Sequence, residues 1–196
     1  IRVLSVILLS VGWAFAQQNE ITPDLSKVKD TTLWHLSDRE ILNDDPVHLS
    51  AADGDGILWL KDLSFENGTI ELDIKGKDIR GKSFVGIAFH GLDENNFEAI
   101  YFRPFNFKSA EKQGNSIQYI SLPDFDWRRL REEHPGVYEN PPSPVPDPND
   151  WFHTTIVVDH PTVKVFLNNS EEPSLTIEQL STRKEGWVGL WVGSYS

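Results

Sequence analysis

The stretch that decides the fold is GTIELDIK at residues 68–75. Side chains alternate between the two faces of a strand, so Ile70, Leu72 and Ile74 share one face. The other face carries Thr69 together with charged side chains. This alternation is typical of an antiparallel strand with one face against a core and the other in water.

Similar short stretches rich in branched and aromatic residues recur along the chain, separated by Gly, Asn, Asp and Pro. SFVGIAFH at 83–90 is apolar on both faces except at its end, which indicates a central strand. Helical periodicity is nearly absent outside 124–133. About ten short strands predict an all-β fold, either a two-sheet sandwich or a barrel. The predicted strands are 69–75, 83–90, 97–103, 151–159, 162–167 and 187–192, with weaker candidates at 32–36, 47–50, 57–60 and 116–121.

The composition argues against a disulfide-stabilised protein and against a nucleic-acid-binding protein. The 196 residues include no cysteine and carry a formal charge of -12. The core must therefore come from packed sheets rather than disulfides. An acidic surface disfavours a nucleic-acid partner, because phosphate binding needs basic groups.

The N-terminal residues have the layout of a secretory signal peptide. Residues 1–16 combine Arg2, an apolar run and a small-x-small end at Ala14 and Ala16. We expect cleavage near Ala16, a single β-sandwich domain over 17–196, and a secreted or periplasmic protein. No later apolar run is long enough to span a bilayer, so the mature protein is not expected to be membrane-embedded.

Several of these stretches together resemble the concanavalin A-like lectin/glucanase superfamily, in the laminin-G-like form found in bacterial exported proteins. They are GTIELDIK, FVGIAFHG at 84–91, WFHTTIVVD at 151–159, VKVFLNNSEEP at 163–173 and GWVGLWVG at 186–193. The resemblance implies a two-sheet antiparallel jelly-roll sandwich. Residues 101–107, 115–139 and 148–151 are similar to an uncharacterised bacterial group near the 3-keto-disaccharide hydrolase domains. Such families usually carry a further strand, so the resemblance implies that the natural chain continues beyond the final GSYS.

The stretch YFRPFNF at 101–107 places an arginine among four aromatic residues. If it is all strand, Tyr101, Arg103, Phe105 and Phe107 share a face. Burying an unpaired arginine is costly, so Arg103 is either paired or placed for a ligand. Flat rings suit the apolar side of a sugar, and planar polar groups suit its hydroxyls. The candidate ligand-binding residues are Tyr101, Arg103, Asn106, Gln118, Tyr119, Trp127, Arg128 and Tyr138.

These residues favour carbohydrate binding on a concave sheet face, covered by the loop around residues 124–140. One alternative is a saccharide hydrolase whose acid and base come from the nearby carboxyl groups. Another is a structural or adhesion domain in which the rings are core and Arg103, Arg128 and Arg131 pair with Glu132, Glu133 or Glu139. The candidate catalytic carboxyls are Asp124, Asp126, Glu139 and Glu98.

Two further motifs give weaker indications of a catalytic site or a calcium site. Glu71 and Asp73 resemble the active strand of laminarinase-type hydrolases, but Lys75 or Gly76 stands where the second glutamate is needed. The loops 53–56 and 147–150 are rich in oxygen, as calcium requires, yet Asp-Gly pairs also favour plain turns. We favour turns and keep calcium as an alternative. The histidines at 90, 134, 153 and 160 show no metal-ligand spacing, so no metal site is predicted.

Overall fold

The computed structural model describes residues 20–196. The predicted signal peptide at 1–16 lies outside the described residues. The strands are β1 Trp34–Ser37, β2 Ile41–Asp44, β3 Val47–Leu49, β4 Gly56–Phe65, β5 Gly68–Lys75, β6 Val85–Asp93, β7 Asn96–Phe102, β8 Ile117–Ser121, β9 Glu139–Asn140, β10 Trp151–Asp159, β11 Thr162–Leu167, β12 Leu175–Glu178 and β13 Gly186–Val192. The helical segments are three short 3-10 turns, Leu25–Lys27, Pro104–Asn106 and Gln113–Asn115, and the helix α1, Trp127–Glu133.

The strands form two packed antiparallel sheets. The larger sheet has the order β1-β4-β13-β6-β7-β8-β9, and the smaller sheet has the order β12-β11-β10-β5. The strands β2 and β3 make a separate hairpin. This architecture confirms the predicted jelly-roll sandwich, and β6 is central in the larger sheet as its two apolar faces predicted.

The opening stretch is the edge strand β5 of the smaller sheet. It pairs with β10, which places Ile74 opposite Phe152. Ile74 is buried while the side chains of Glu71 and Asp73 are exposed, as the alternation predicted. Phe152 packs its ring edge to face against Phe102 of β7, with centroids 5.1 Å apart. This pair joins the two sheets.

A smaller apolar cluster closes the other end of the larger sheet. Leu58 of β4 and Trp34 of β1 pack against Val28 and Leu49. Leu49 belongs to the β2–β3 hairpin. The hairpin and the segment before β1 therefore cover the part of the larger sheet that contributes to this cluster.

A buried polar network lies between the sheets around Glu98 of β7. The carboxylate accepts a hydrogen bond from Tyr119 Oη at 2.7 Å, lies 3.2 Å from His90 Nδ1, and accepts another hydrogen bond from Gln179. His90 Nε2 donates to the carbonyl of Glu66 at 2.8 Å. Burial raises the pKa of Glu98, but hydrogen bonds from His90, Tyr119, Ser181 and Gln179 outweigh it and leave the pKa below its ordinary value.

The element boundaries differ from the prediction in specific places. The strands β2, β9 and β12 were not predicted, and β4 runs on to Phe65. β7 ends at Phe102 because the chain turns into a 3-10 helix at Pro104. Phe107 therefore packs against Phe152 in the core, and the expectation that it shares a face with Tyr101 is wrong. Between residues 20 and 196, no helix has the length and apolar character needed to cross a membrane.

Candidate functional site

The candidate site lies on the outer face of the larger sheet, defined here as the face turned away from the smaller sheet. Tyr101 of β7 and Trp191 of β13 both project from this face, and Gly86 of β6 lies between them in the register. Their ring centroids are 4.7 Å apart. A Cβ on Gly86 would lie 2.2 Å from the carbonyl oxygen of Ile100. Gly86 therefore allows β7 to approach β6 closely at Tyr101.

A cavity of about 330 Å³ opens above this pair of rings. Its lining combines aromatic rings with two carboxylates, and includes Phe84, Tyr101, Trp127, Trp191, Asp55 and Asp126. Aromatic walls with a few polar groups are the usual composition of a small-molecule site.

Arg103 lies behind Tyr101 and is 6% exposed. Its Nη2 donates to Tyr101 Oη at 2.6 Å, and its Nη1 donates to the carbonyl of Asn115 at 2.8 Å. Its guanidinium carbon is 4.9 Å from the centroid of the Tyr101 ring. Within residues 20–196 it forms no ion pair with a carboxylate, and burial lowers its pKa. Arg103 therefore supports the cavity floor as a buried cation held by neutral partners.

The floor contains two hydrogen-bond donors, Tyr101 Oη and Trp191 Nε1, in residues that are 2% and 4% exposed. Burial raises the pKa of Tyr101 to about 12, with Arg103 acting in the opposite direction, so the phenol keeps its proton at neutral pH. Tyr101 Oη accepts from Arg103, which leaves its own hydrogen available. The indole Nε1 of Trp191 is buried and, among residues 20–196, has no acceptor at good hydrogen-bond geometry, although it lies close enough to the Asp55 carboxylate to favour the charged form of that group.

Asp55 forms the acidic part of the wall and is half-buried. Burial raises its pKa, while Arg39 and the nearby Trp191 indole act in the opposite direction. A half-buried carboxylate whose pKa is perturbed by burial and by a nearby cation is a typical feature of a functional pocket.

Trp127 opens helix α1 and forms the opposite wall. The helix begins there because the Asp126 side chain caps it, accepting from the Arg129 backbone N–H at 2.8 Å. Arg131 fixes the helix to β9 through an ion pair with Glu139, with Nε–Oε1 at 2.9 Å. This pair is the loop-fixing contact that the structural alternative anticipated. The Trp127 ring is 39% exposed and therefore accessible to a ligand.

The structure separates the predicted ligand residues into two groups. Tyr101 and Trp127 line the cavity, while Arg103 and Arg128 contact those rings, with Arg128 5.1 Å from the Trp127 centroid. The other four lie outside the lining and make internal contacts. They are Asn106, Gln118, Tyr119 and Tyr138.

The internal contacts of these four residues are specific. Tyr119 projects into the sandwich and donates to Glu98, and Tyr138 packs on its ring at 5.6 Å. Gln118 Nε2 donates to the carbonyls of Tyr119 and Tyr138, and Asn106 donates to the carbonyl of Asn115. Because Gln118 and Tyr119 are consecutive in one strand, they point to opposite faces and cannot share a site.

The carboxyls considered for catalysis are also dispersed. Glu98 is fully buried between the sheets, and Glu139 is paired with Arg131. Asp124 is exposed and does not line the cavity, which leaves Asp126 as the one of these four in the lining. Sequence reasoning missed Asp55 and Trp191, although Gly54 and Gly56 on both sides of Asp55 indicated a tightly packed turn.

Residues 11–194 match the family described as 3-keto-alpha-glucoside-1,2-lyase-like domain. No curated protein matches the chain in sequence.

Solved structures with a similar fold include the carbohydrate binding module CBM66 from Bacillus subtilis. It shares 16% identity at a TM-score of 0.59, over 82% of this chain and 88% of that chain. A protein of unknown function with a galectin-like fold, also from Bacillus subtilis, shares 16% identity at a TM-score of 0.53. The match covers 85% of this chain and 84% of that chain. The VIP36 exoplasmic/lumenal domain, in its Ca2+/Man3GlcNAc-bound form, shares 12% identity at a TM-score of 0.52. The match covers 84% of this chain and 78% of that chain.

These similarities confirm the resemblance to concanavalin A-like jelly rolls. The family match extends over almost the whole of the described structure, including every strand of both sheets. The chain therefore belongs to the family of 3-keto-alpha-glucoside-1,2-lyase-like domains.

Proposed function

We propose that this protein binds a carbohydrate in the cavity on the outer face of the larger sheet. The observation that carries the proposal is a cavity lined by aromatic residues and two carboxylates, in which Trp127 is exposed while Tyr101 and Trp191 are largely buried beneath it. Two of the similar structures, CBM66 and VIP36, are described as carbohydrate-binding or carbohydrate-bound, which supports the same ligand class.

The chemistry of the cavity suits a sugar ring. Aromatic faces pack against the apolar C–H side of a pyranose. The carboxylates of Asp55 and Asp126 line the cavity and can accept hydrogen bonds from neighbouring hydroxyls. The volume of about 330 Å³ is at the small end of ligand pockets, so we expect one sugar unit to fill it.

A second candidate is that the protein cleaves the sugar it binds. The family description names a lyase acting on a 3-keto-α-glucoside, and Asp55 supplies a half-buried carboxylate with a raised pKa. Removing a proton beside a ketone requires one general base, whereas glycoside hydrolysis requires two suitably spaced carboxyls. Asp55 is the residue we assign as that base. Following the predicted signal peptide, we also propose that the protein acts outside the cytoplasm.

Calorimetric titration tests the binding proposal. The ligands are methyl α-glucoside, trehalose and the 3-keto derivative of each, and mass spectrometry of the same mixtures detects cleavage. Trp127→Ala should weaken binding at least about tenfold, because a stacked ring contributes on the order of 1 kcal/mol or more. Trp151→Ala is the matched control, since Trp151 is 46% exposed on the other sheet. Equal losses in both variants, or no binding by the wild type, would exclude this cavity as the site.

A further inference from the structure

The cavity rim is held from behind by a buried cation, Arg39. Arg39 lies between β1 and β2 and is 9% exposed. Its Nη1 donates to the carbonyl of Asp38 at 2.7 Å. Its Nη2 donates to the carbonyls of Gly54 at 2.7 Å, Gly193 at 3.1 Å and Ala52 at 3.4 Å. One guanidinium thus binds four backbone oxygens.

Three of those oxygens belong to the two segments that form one side of the cavity. Segment 52–55 provides Asp55 to the lining, and segment 193–194 provides Gly193 and Ser194. The segments also contact each other directly: the Gly54 N–H donates to Ser194 Oγ at 3.0 Å, and the Tyr195 N–H donates to the Ala52 carbonyl at 2.7 Å. Arg39 is the partner that both segments share.

Gly56 makes room for this side chain. A Cβ at Gly56 would lie 2.2 Å from Arg39 Cγ and 2.8 Å from its Nε. A methyl group there must therefore push the arginine away from the carbonyls. A glycine is needed after Asp55 because the Arg39 side chain lies against this position, and the turn alone would not require it.

The surroundings of Arg39 are chemically those of a bound cation. Backbone carbonyls are grouped around it, and burial lowers the pKa of Arg39 while the charges of Asp55, Asp38 and Asp53 act in the opposite direction. Calcium sites are built from carbonyl and carboxylate oxygens of the same kind, six to eight of them. Here a covalently attached guanidinium occupies the centre and makes charge-assisted hydrogen bonds.

We propose that Arg39 is the positioning residue of this cavity, a built-in cation that holds segments 52–55 and 193–194 together in place of a bound divalent ion. The consequence for ligand affinity rests on the function proposed above. The positioning itself does not, because the rim contacts can be measured without any ligand.

Hydrogen exchange of the Gly54 and Tyr195 amides tests the positioning directly, since both amides bond across the rim. In Arg39→Ala these two amides should exchange at least about tenfold faster, and millimolar guanidinium chloride should restore most of their protection. Gly56→Ala should give the same increase while keeping the arginine. Arg80→Ala, at an exposed position, is the matched control and should leave both rates unchanged.

Arg39→Lys keeps the charge but loses the planar fork, so its exchange rates should lie nearer to those of Arg39→Ala than to the wild type. Addition of calcium or EDTA should leave the wild-type rates unchanged. The proposal is overturned if Arg39→Lys and Gly56→Ala both retain the wild-type exchange rates. It is also overturned if EDTA alone increases the exchange rates of the Gly54 and Tyr195 amides in the wild-type protein.

Titration with methyl α-glucoside and the 3-keto sugars then separates this inference from the proposed function. Faster rim exchange with at least about tenfold weaker binding supports both. Faster exchange in a protein that never bound a sugar supports the positioning and rejects the sugar site. Unchanged exchange rejects the positioning whatever the wild type binds.

Discussion

The rings of Tyr101 and Trp191 meet 4.7 Å apart above Gly86, although the three residues come from three different strands. Strand order β13-β6-β7 makes them neighbours across the larger sheet. A side chain at the glycine between them would overlap the neighbouring strand at Ile100 and Tyr101. This arrangement produces a tilted pair of aromatic rings, with their planes 34° apart, that no single stretch of the sequence contains.

Gly86→Ala should destabilise the fold by roughly 1–3 kcal/mol, because its Cβ would overlap the carbonyl oxygen of Ile100 and force the strands to shift. Urea unfolding measures the loss. Gly114→Ala is the control, since a Cβ at Gly114 meets nothing within 4 Å. If the two variants are equally stable, the close packing around Gly86 does not constrain the floor.

Arg103→Met should lower the free energy of unfolding by roughly 1–3 kcal/mol, because Tyr101 Oη and the Asn115 carbonyl lose a charged donor. It should also weaken sugar binding, since the Tyr101 ring loses the group that orients it. Arg80→Met serves as the exposed reference. A stable Arg103→Met protein with unchanged affinity would show that the arginine does not support the cavity floor.

Acid should destabilise the protein through Glu98. Its native pKa lies below its ordinary value of 4.5, so its contribution is complete above that value and is lost as the pH falls through the lower native pKa. Glu98→Gln should cost roughly 1–3 kcal/mol at neutral pH and should reduce the acid-dependent loss of stability. Thermal unfolding across this pH range measures both effects, with the exposed Glu71→Gln as control. An unchanged acid profile in Glu98→Gln would contradict the role of this network.

The affinity for sugar should depend on the ionisation of Asp55. Burial raises its pKa, so the carboxylate should become protonated at a higher pH than an ordinary aspartate and lose an acceptor site for sugar hydroxyls. We expect affinity to fall as the pH is lowered from about 7 to about 4, and Asp55→Asn to be weaker and nearly independent of pH. Identical pH profiles for the two proteins would remove Asp55 from the binding site.

Local patterns predicted the sheet because alternation is a property of neighbours in sequence. GTIELDIK and TVKVFL became strands at nearly the predicted residues. The short strands β9 and β12 were missed because two to four residues carry too little pattern. The 3-10 helix at Pro104–Asn106 broke the alternation beyond Phe102 and moved Phe107 into the core.

The site was only partly predictable for a related physical reason. Tyr101 and Trp127 were recognised because aromatic and basic residues cluster near them in sequence. Asp55 and Trp191 were missed because their burial depends on segments more than a hundred residues apart, held together through Arg39. Alternation along one strand already showed that Gln118 and Tyr119 could not both belong to the site.

The central claim, a sugar in the cavity above Tyr101 and Trp191, is tested most directly by following the Trp191 indole N–H. Its proton–nitrogen correlation signal can be assigned with a Trp191→Phe variant and monitored while methyl α-glucoside or its 3-keto derivative is added. The account predicts that the Trp191 signal shifts with saturation while the Trp151 signal stays fixed, because Trp191 lines the cavity and Trp151 lies in β10 of the smaller sheet. A saturating sugar that shifts Trp151 and leaves Trp191 unmoved would contradict it.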